Sequence, residues 1–431
     1  MAPDPMRRGA LDLLRTHQAF RRLWAGQAAS VLGDRVSGLA LPIAAVLVLR
    51  AGAPTMGVLT AAGLLPFLVL SIPVGAWVDR ASHRRRLMVW ADVARAVLTL
   101  TIPLAFVTQH LSLLLLGAVA ALLGSAQVVF DLAYPGVLAA TVGPDHYTDA
   151  NVLLQGSRAA SRLVGPSLTG LLIQAVGAPV ALVADAVSFA ASAISLAGLG
   201  VGEPPGVLWD VGGKVGWKAG AGLRFVWTTT GVRHMMLALS TVNFFNYMFT
   251  ALFILYVTRS LDVAPVRLGL IVAVGALGAA VGAASAASLG RRFGSAGALL
   301  LGVLLFTASL MLVPGAGGTL GTITLLLGVA ELLSGAGLMV LDISFGSLSL
   351  ALVPDALRGR AAGAFSLVNY GIRPLGALMG GFLPTVLGVQ GTLWVATAGA
   401  CLGAAWLLPA LTARSRRIDV RSTAPRPKRP S

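Results

Sequence analysis

The chain has 431 residues, of which 56% are hydrophobic and only 11% are charged, and its mean hydropathy is +0.84. Soluble domains are about one-quarter charged, so this composition excludes a water-soluble globular protein. The formal net charge is +16, but the basic residues lie between long apolar runs, which favours a membrane over a nucleic-acid partner. The single cysteine, Cys401, excludes disulfide scaffolds and cysteine metal sites, and five scattered His predict no other metal or cofactor site. No phosphate-binding GxxxxGK[ST] motif is present, so the chain carries no P-loop ATPase.

Twelve apolar runs are long enough to cross a bilayer, which takes about 20 residues per helix. Their approximate ranges are 24–49, 56–78, 87–108, 113–138, 151–176, 180–200, 234–258, 266–289, 298–314, 320–352, 361–388 and 392–412. One long polar break divides the runs six and six, so we predict an all-α membrane protein built from two six-helix bundles. The predicted segments are a basic N-terminus at 1–23, bundles at 24–200 and 234–412, a linker at 201–233 and a disordered basic tail at 413–431. The N-terminus lacks the pattern of a cleaved signal peptide.

The breaks between the runs differ in charge from one side of the membrane to the other. Alternate breaks together with both termini contain 24 Lys and Arg residues, whereas the opposite breaks contain only Arg50, Arg259 and Arg267. Because positive loops stay in the cytoplasm, this asymmetry predicts a multi-pass protein of the cell membrane with both termini and the linker cytoplasmic.

The two halves match each other at a shift of 211 residues. Arg162 and the following Gly165 align with Arg373 and Gly376, and Asp131 aligns with Asp342. Charged residues inside apolar helices are costly, so matching ones indicate a duplication. Two halves in the same orientation are typical of transporters whose substrate site lies between the halves.

Several motifs resemble those of the major facilitator superfamily. The loop after the second run reads Gly75-Ala-Trp-Val-Asp79-Arg80-Ala-Ser-His83-Arg84-Arg85-Arg86 and resembles the signature of that superfamily. The fifth run contains Gly165-Pro166-x-x-x-Gly170, which is similar to the helix-bend motif of drug:proton antiporters. The stretches Phe20–Trp24, Gly33–Arg35, Ala150–Asn151 and Gly222–Trp227 resemble the subgroup of enterobactin exporters and macrolide efflux pumps. One departure is Ala120, which stands four residues before Gly124 where antiporters often carry an Arg.

The resemblance implies a gate on the cytoplasmic side, in which Asp79 contacts the start of the eleventh helix. A carboxylate there can accept hydrogen bonds from free helix N–H groups. The expected gate residues are Gly75, Asp79, Arg80, Arg84, Asp131, Arg291 and Asp342. We expect Asp131 to pair with Arg80 or Arg84 and Asp342 to pair with Arg291, and plain solvation at the interface is the alternative.

Four charged residues fall near the middle of the membrane: Asp34, Arg162, Glu331 and Arg373. Each lies about 15–18 Å along its helix from the predicted end. An unpaired charge at that depth costs at least about 2.5–3.5 kcal/mol, so these groups should face a cavity or each other. Asp34 and Glu331 are the candidates for proton coupling, with Arg35, Arg162 and Arg373 as central charge partners. Static ion pairing, such as Asp34 with Arg162, is the alternative, and Asp92, Arg95, Arg158 and Asp185 have a structural interpretation.

Polar and aromatic side chains on two helices predict part of a substrate cavity. Asn243, Asn246 and Tyr247 share one helix face, because they are spaced i, i+3, i+4. Asn369 and Tyr370 form a similar pair on the eleventh helix. Amide and phenol groups among apolar side chains suit an amphiphilic organic ligand, whereas a helix–helix contact is the alternative.

These features predict a secondary transporter that exports a hydrophobic or amphiphilic organic compound, such as a drug, an antibiotic or a siderophore-like molecule, in exchange for protons. The expected partners are the substrate, protons and the lipid bilayer, and the protein should work as a monomer. A proton-coupled importer of a small organic solute is the alternative within transport. A polytopic membrane enzyme would need His, Glu or Asp clustered at one membrane surface, but the five His are dispersed over both sides.

Overall fold

The computed structural model describes residues 12–200, 224–354 and 357–409. Within these ranges the regular structure is entirely helical. The long helices are α1 Gln18–Ile43, α2 Ala53–Arg80, α3 Arg84–Val107, α4 Leu113–Val142, α5 Tyr147–Val176, α6 Ala178–Ala197, α7 Thr230–Leu255, α8 and α9 within Pro265–Ser309, α10 Leu320–Leu352, α11 Arg358–Phe382 and α12 Pro384–Cys401. Most of the predicted linker and all of the predicted tail lie outside the described residues.

Two glycines change the direction of the chain inside segments whose bounds read as one continuous helix. Gly294 (φ 73°, ψ 164°) separates α8 from α9, and Gly388 (φ 69°, ψ 170°) lies in α12 and separates its first turn from the rest. Positive φ with extended ψ is accessible to glycine and strained for other residues, so these positions set the helix boundaries. The observed helices thus correspond to the twelve predicted runs.

By length and apolar composition, nine helical runs in the described part of the chain can cross a membrane, with Pro265–Leu312 counted as one. The other two long helices, α5 and α11, are more polar, because they carry Arg162 and Arg373 among polar and small residues. These two helices are also partners in the internal repeat. The two long helices that fall short of this criterion therefore occupy equivalent positions in the two halves.

Helices pack closely within each half of the molecule. In the first half, α1 packs on α5 and α6, α3 on α4 and α6, and α2 on α4. In the second half, α10 packs against the α8–α9 run, and α7 packs on α11 and α12. Gly278 of α8 is one of the small residues that allow this packing, since a Cβ there would overlap the backbone of Leu332.

The two halves meet mainly through α2 with α11 and α5 with α8. A Cβ at Gly57 of α2 would lie 2.6 Å from the Ala377 carbonyl oxygen, and a Cβ at Gly170 of α5 would lie 2.6 Å from the Pro265 carbonyl oxygen. Both close approaches lie toward one end of the bundle, where α2 and α8 begin and α5 and α11 end. The halves are therefore in backbone contact at that end.

Candidate functional site

Four helices of the first half converge on one buried guanidinium. The side chain of Arg95 on α3 is only 2% exposed, and it forms an ion pair with Asp92 one turn earlier and lies 3.9 Å from Asp34 of α1. The Phe130 ring of α4 and the Phe189 ring of α6 lie 4.6 and 4.3 Å from its central carbon. Arg95 thus links α1, α3, α4 and α6 through charge and cation–π contacts.

This cluster extends from the core of the half to an accessible surface. Arg95 donates to the Gln127 side chain, and Gln127 Nε2 donates in turn to Asp131 at 2.8 Å. Asp131 is exposed, and the side chain of Asp34 is 39% exposed, whereas Asp92 is fully buried. Asp34 therefore lies where a buried charged cluster meets accessible space.

The ion-pair partner of Asp34 differs from Arg162, which was expected because both residues lie near the middle of the membrane. The structure pairs Asp34 with Arg95 rather than with Arg162. Arg35 instead packs against α5, where its Cβ lies 2.7 Å from the place that a Cβ at Gly165 would occupy. The first glycine of the helix-bend motif thus makes room for the Arg35 side chain. Sequence reasoning assigned Arg95 a structural interpretation but did not predict its contact with Asp34, although Asp92 and Arg95 at i, i+3 in an apolar helix indicated an ion pair.

Asp185 belongs to a smaller polar contact beside this cluster. Its carboxylate accepts hydrogen bonds from Ser37 of α1 and from Ser188 of its own helix. Asp185 is fully buried, so these two hydroxyl groups hold it between α1 and α6. This arrangement fits the structural interpretation of Asp185.

Glu331 of α10 has a different environment from Asp34. Among the described residues, its carboxylate makes no ion pair or hydrogen bond, so the predicted partnership with Arg162 or Arg373 is not formed. Its Oε2 atom faces α8, where it lies 2.9 Å from the position that a Cβ at Gly275 would occupy. Glu331, the acid of the second half, thus lies against helix backbone at a position that has no side chain.

Several predicted cavity residues come together around Arg373 of α11. Its Nε donates to Asn369 Oδ1 at 2.9 Å, and its central carbon lies 5.1 Å from the Tyr247 ring and 4.8 Å from the Tyr370 ring. The Phe67 ring of α2 stacks on Tyr370 with centroids 5.5 Å apart. We call these residues, Phe67, Tyr247, Asn369, Tyr370 and Arg373, the aromatic cluster.

The two predicted cavity asparagines of α7 form hydrogen bonds within their own helix. Asn243 Nδ2 donates to the Leu239 carbonyl oxygen of its own helix at 2.9 Å. The backbone carbonyl of Asn246 accepts a hydrogen bond from Thr250. Both side chains are half-buried, and their predicted contribution to a substrate cavity stays a prediction.

Charged residues of both halves face one another near the aromatic cluster. Asp342 of α10 interacts electrostatically with Arg162 and Arg373. Arg162 also interacts with Arg35. The predicted pairing of Asp342 with Arg291 is therefore replaced by a position near the central arginines. This space between the halves is the candidate substrate site.

Among the described residues, the cytoplasmic gate residues other than Asp342 form no contact between the halves. Asp79 and Arg291 are exposed at helix ends, and Gly75 lies 4.0 Å from Leu132 of the same half, measured from the position of an added Cβ. Arg84 donates to the carbonyl oxygens of Val78 and Asp79, and Arg80 to that of Ala76. Asp131 is therefore held by Gln127 rather than by Arg80 or Arg84, while the gate itself stays a prediction.

The opposite end of the bundle contains a contact that sequence reasoning missed. Helices α1 and α7 both end in a π-helical turn, at Ala44–Val48 and Tyr256–Ser260. Each turn is followed by a non-glycine residue with positive φ, Arg50 at 53° and Asp262 at 50°. Arg259 Nη2 donates to the Val46 carbonyl oxygen at 2.7 Å and so joins the two turns. We call this pair of turns with Arg259 the π-turn latch.

A sequence profile of the Major Facilitator Superfamily matches residues 23–377, and a second match covers residues 235–430. The chain belongs to the Major Facilitator Superfamily. The second match begins near the start of the second half, as expected for a duplicated superfamily protein. The family resemblance of the motifs is thereby confirmed, together with an all-α, multi-pass membrane fold. Like other members of the superfamily, the chain is a transporter and not an enzyme.

The curated relatives of this superfamily member include multidrug pumps. The multidrug efflux pump Tap of Mycobacterium tuberculosis is 29% identical over 412 residues, covering 90% of this chain and 92% of that protein. The multidrug efflux pump Tap of Mycolicibacterium fortuitum is 26% identical over 347 residues, covering 77% and 81%. The chain therefore matches these pumps over most of their length.

Solved structures of other transporters share the fold of this superfamily member. A bacterial homologue of the iron transporter ferroportin, in an inward-facing state, has a TM-score of 0.76 at 16% identity and covers 92% of this chain and 99% of its own. The nucleoside transporter NupG has a TM-score of 0.71 at 12% identity, with 92% and 99% covered. At such low identity, these similarities support the fold alone.

Proposed function

We propose that the protein exports hydrophobic or amphiphilic organic compounds across the cell membrane in exchange for protons. The similarity to two multidrug efflux pumps supports the export of such compounds. The aromatic cluster between the halves supports a ligand with apolar and polar parts. The distribution of Lys and Arg supports an orientation with both termini in the cytoplasm.

Alternating access between the two halves moves the substrate. The backbone contacts at Gly57 and Gly170 lie toward the end that the charge distribution assigns to the outside. The state described here is then closed on the outside. Export requires this side to open, and the gate around Asp79 closes the cytoplasmic side in that state.

The contact between Asp34 and Arg95 is the main observation that supports proton coupling. Arg95 has two acidic neighbours, and Asp34, at 3.9 Å, is the more distant of the two. A proton can therefore neutralise Asp34 while Arg95 keeps its ion pair with Asp92. Since Asp34 also reaches accessible space, its charge can respond to the proton concentration on the open side.

Glu331 is the second candidate acid. Its carboxylate lies at mid-membrane depth against Gly275, away from the charged cluster of the first half. A charge there costs at least about 2.5–3.5 kcal/mol unless a proton or a ligand neutralises it. With one acid in each half, protonation could change the balance between the inward-open and outward-open states at two places.

Transport in proteoliposomes with an imposed pH gradient tests this proposal, with the anionic dye 1-pyrenebutanoate and the cationic dye Hoechst 33342 as the probes. The wild-type protein should concentrate at least one dye against its gradient when protons flow the opposite way. Asp34→Asn should abolish this accumulation but leave downhill dye exchange measurable, and Glu331→Gln should do the same if it carries the proton.

Asp185→Asn is the matched control, because Asp185 is a buried acid that two serines hold and that forms no ion pair among the described residues. It should change accumulation less than Asp34→Asn does. Normal accumulation in both the Asp34 and the Glu331 variants would show that neither acid couples transport. A wild-type protein that moves no dye from a panel of lipophilic compounds would contradict the export proposal.

A further inference from the structure

The guanidinium of Arg373 is held from one edge only. Its Nε donates to Asn369 one turn earlier, and the Tyr247 and Tyr370 rings flank its central carbon. An arginine side chain has five N–H donors in a fixed planar arrangement. The described contacts therefore orient the group but use only one of its donors.

The outer edge of the same guanidinium has no acceptor among the described residues. Among the side chains that the structure describes, Arg373 makes no ion pair, although Asp342 is close enough to interact with it electrostatically. The Arg373 side chain is half-buried, and its two Nη groups form no hydrogen bond or ion pair with the residues that the structure describes. Such a planar group with parallel free donors matches a carboxylate or another oxyanion.

The charges around Arg373 are unequal. Arg35, Arg162 and Arg373 interact with one another or with Asp342 across the space between the halves. Asp342 is the acid that interacts with two of these three arginines, and Asp34, which lies beside Arg35, forms its ion pair with Arg95. The candidate substrate site therefore has a surplus of positive charge.

We infer that Arg373 binds an anionic group of the transported compound, whose aromatic body lies against the rings of Phe67, Tyr247 and Tyr370. The preferred substrates are then aromatic amphiphiles with a carboxylate or a similar oxyanion, rather than lipophilic cations. This inference rests on the proposed function in one respect, which is that the substrate binds between the two halves. A purely structural Arg373, which joins α11 to α7 through Tyr247, is the competing explanation.

Two fluorescent probes with the same aromatic body and opposite charge test the inference, namely 1-pyrenebutanoate and 1-pyrenebutylammonium. Their equilibrium binding to the purified full-length protein in nanodiscs is measured without any pH gradient. The wild type should bind the carboxylate at least about tenfold more tightly than the ammonium. Arg373→Gln should remove this preference by weakening carboxylate binding at least about tenfold, with ammonium binding unchanged or tighter.

Arg373→Lys keeps the charge but not the planar pair of donors, so it should bind the carboxylate with intermediate affinity. This variant replaces Arg373→Gln in the test if the Gln variant does not fold.

Arg158→Gln is the matched control, because Arg158 is another half-buried arginine near a tyrosine ring, 5.9 Å from Tyr134. Its carboxylate preference should equal that of the wild type. Equal weakening of both probes by Arg373→Gln, or a wild-type preference for the ammonium, would overturn the inference. A wild type that prefers the carboxylate but moves no compound would instead refute only the export proposal.

Discussion

At the scale of single residues, Arg95 is the largest fully buried side chain in the described part of the chain, and it contacts acidic, amide and aromatic side chains. A guanidinium in the membrane interior is tolerated when its charge is paired and its flat faces contact aromatic rings. Asp92 supplies the paired charge, and Phe130 and Phe189 supply the rings. The same residue therefore stabilises the first half and positions the charge beside Asp34.

We expect Arg95→Gln to destabilise the protein strongly, because the fully buried Asp92 would lose its only ion-pair partner in the described part of the chain. Breaking a buried ion pair from one side costs about 3–5 kcal/mol. Thermal unfolding of the purified protein in detergent measures the effect. The double variant Asp92→Asn with Arg95→Gln should unfold at a higher temperature than Arg95→Gln alone, since it leaves no unpaired charge. Equal stability of the single variant and the wild type would contradict the assignment of Arg95 as a link between helices.

At the scale of helices, the π-helical turns show that the duplication extends to local backbone geometry. The turn at Ala44–Val48 and the turn at Tyr256–Ser260 occupy equivalent places in the two halves. A π-helical turn leaves the regular hydrogen-bond pattern of an α-helix and is often found at functional sites. Here the widened turn of α1 presents the Val46 carbonyl oxygen to Arg259 of α7.

We expect Arg259→Gln to weaken closure at the π-turn latch, because the charge-assisted hydrogen bond to Val46 is lost. Cysteine labelling can measure this change after Cys401→Ser removes the single native cysteine. A reporter cysteine at Ala45, which is fully buried, should react several times faster with a membrane-impermeant maleimide added outside. Arg267→Gln is the control, because Arg267 is exposed on the same side. Unchanged labelling in the Arg259 variant would mean that the latch does not hold this end closed.

At the scale of the whole molecule, the two main helix contacts between the halves both bring their backbones together toward the same end. Glycine brings the backbones together at both, at Gly57 for α2 with α11 and at Gly170 for α5 with α8. The halves can therefore close at this end only while these positions lack side chains. A transporter that alternates between two closed ends must form and break such contacts in every cycle.

We expect Gly57→Ala to disfavour closure at this end, because its methyl group would lie 2.6 Å from the Ala377 carbonyl oxygen and the Gly381 Cα. Dye export should slow, and a reporter cysteine at the buried Ala51 should become more reactive from outside. Gly63→Ala on the same helix is the control, since its methyl group would lie 4.0 Å from the nearest atom of another helix. If the two variants behave alike, contact between the halves at Gly57 does not control access.

The amino-acid sequence by itself determined the number of helices and the superfamily, and it predicted the depth of the charged residues. Hydrophobic length and loop charge are local properties that act directly on membrane insertion, so they can be read without knowing any partner. The depths of Asp34 and Glu331 follow from the same arithmetic, because each residue advances the helix by about 1.5 Å. The duplication was also visible, since the Arg and Asp residues recur at one shift.

Only the tertiary structure decided which groups meet. Depth along a helix leaves its rotation open, and one residue turns the helix by about 100°, so residues of equal depth can face opposite directions. The structure therefore pairs Asp34 with Arg95 instead of Arg162, leaves Glu331 against Gly275, and brings Arg373 between two tyrosines. The π-turn latch depends on backbone geometry that side-chain patterns do not encode. Helix rotation and backbone irregularity arise from packing among many helices, which is why the partners could not be assigned from the sequence.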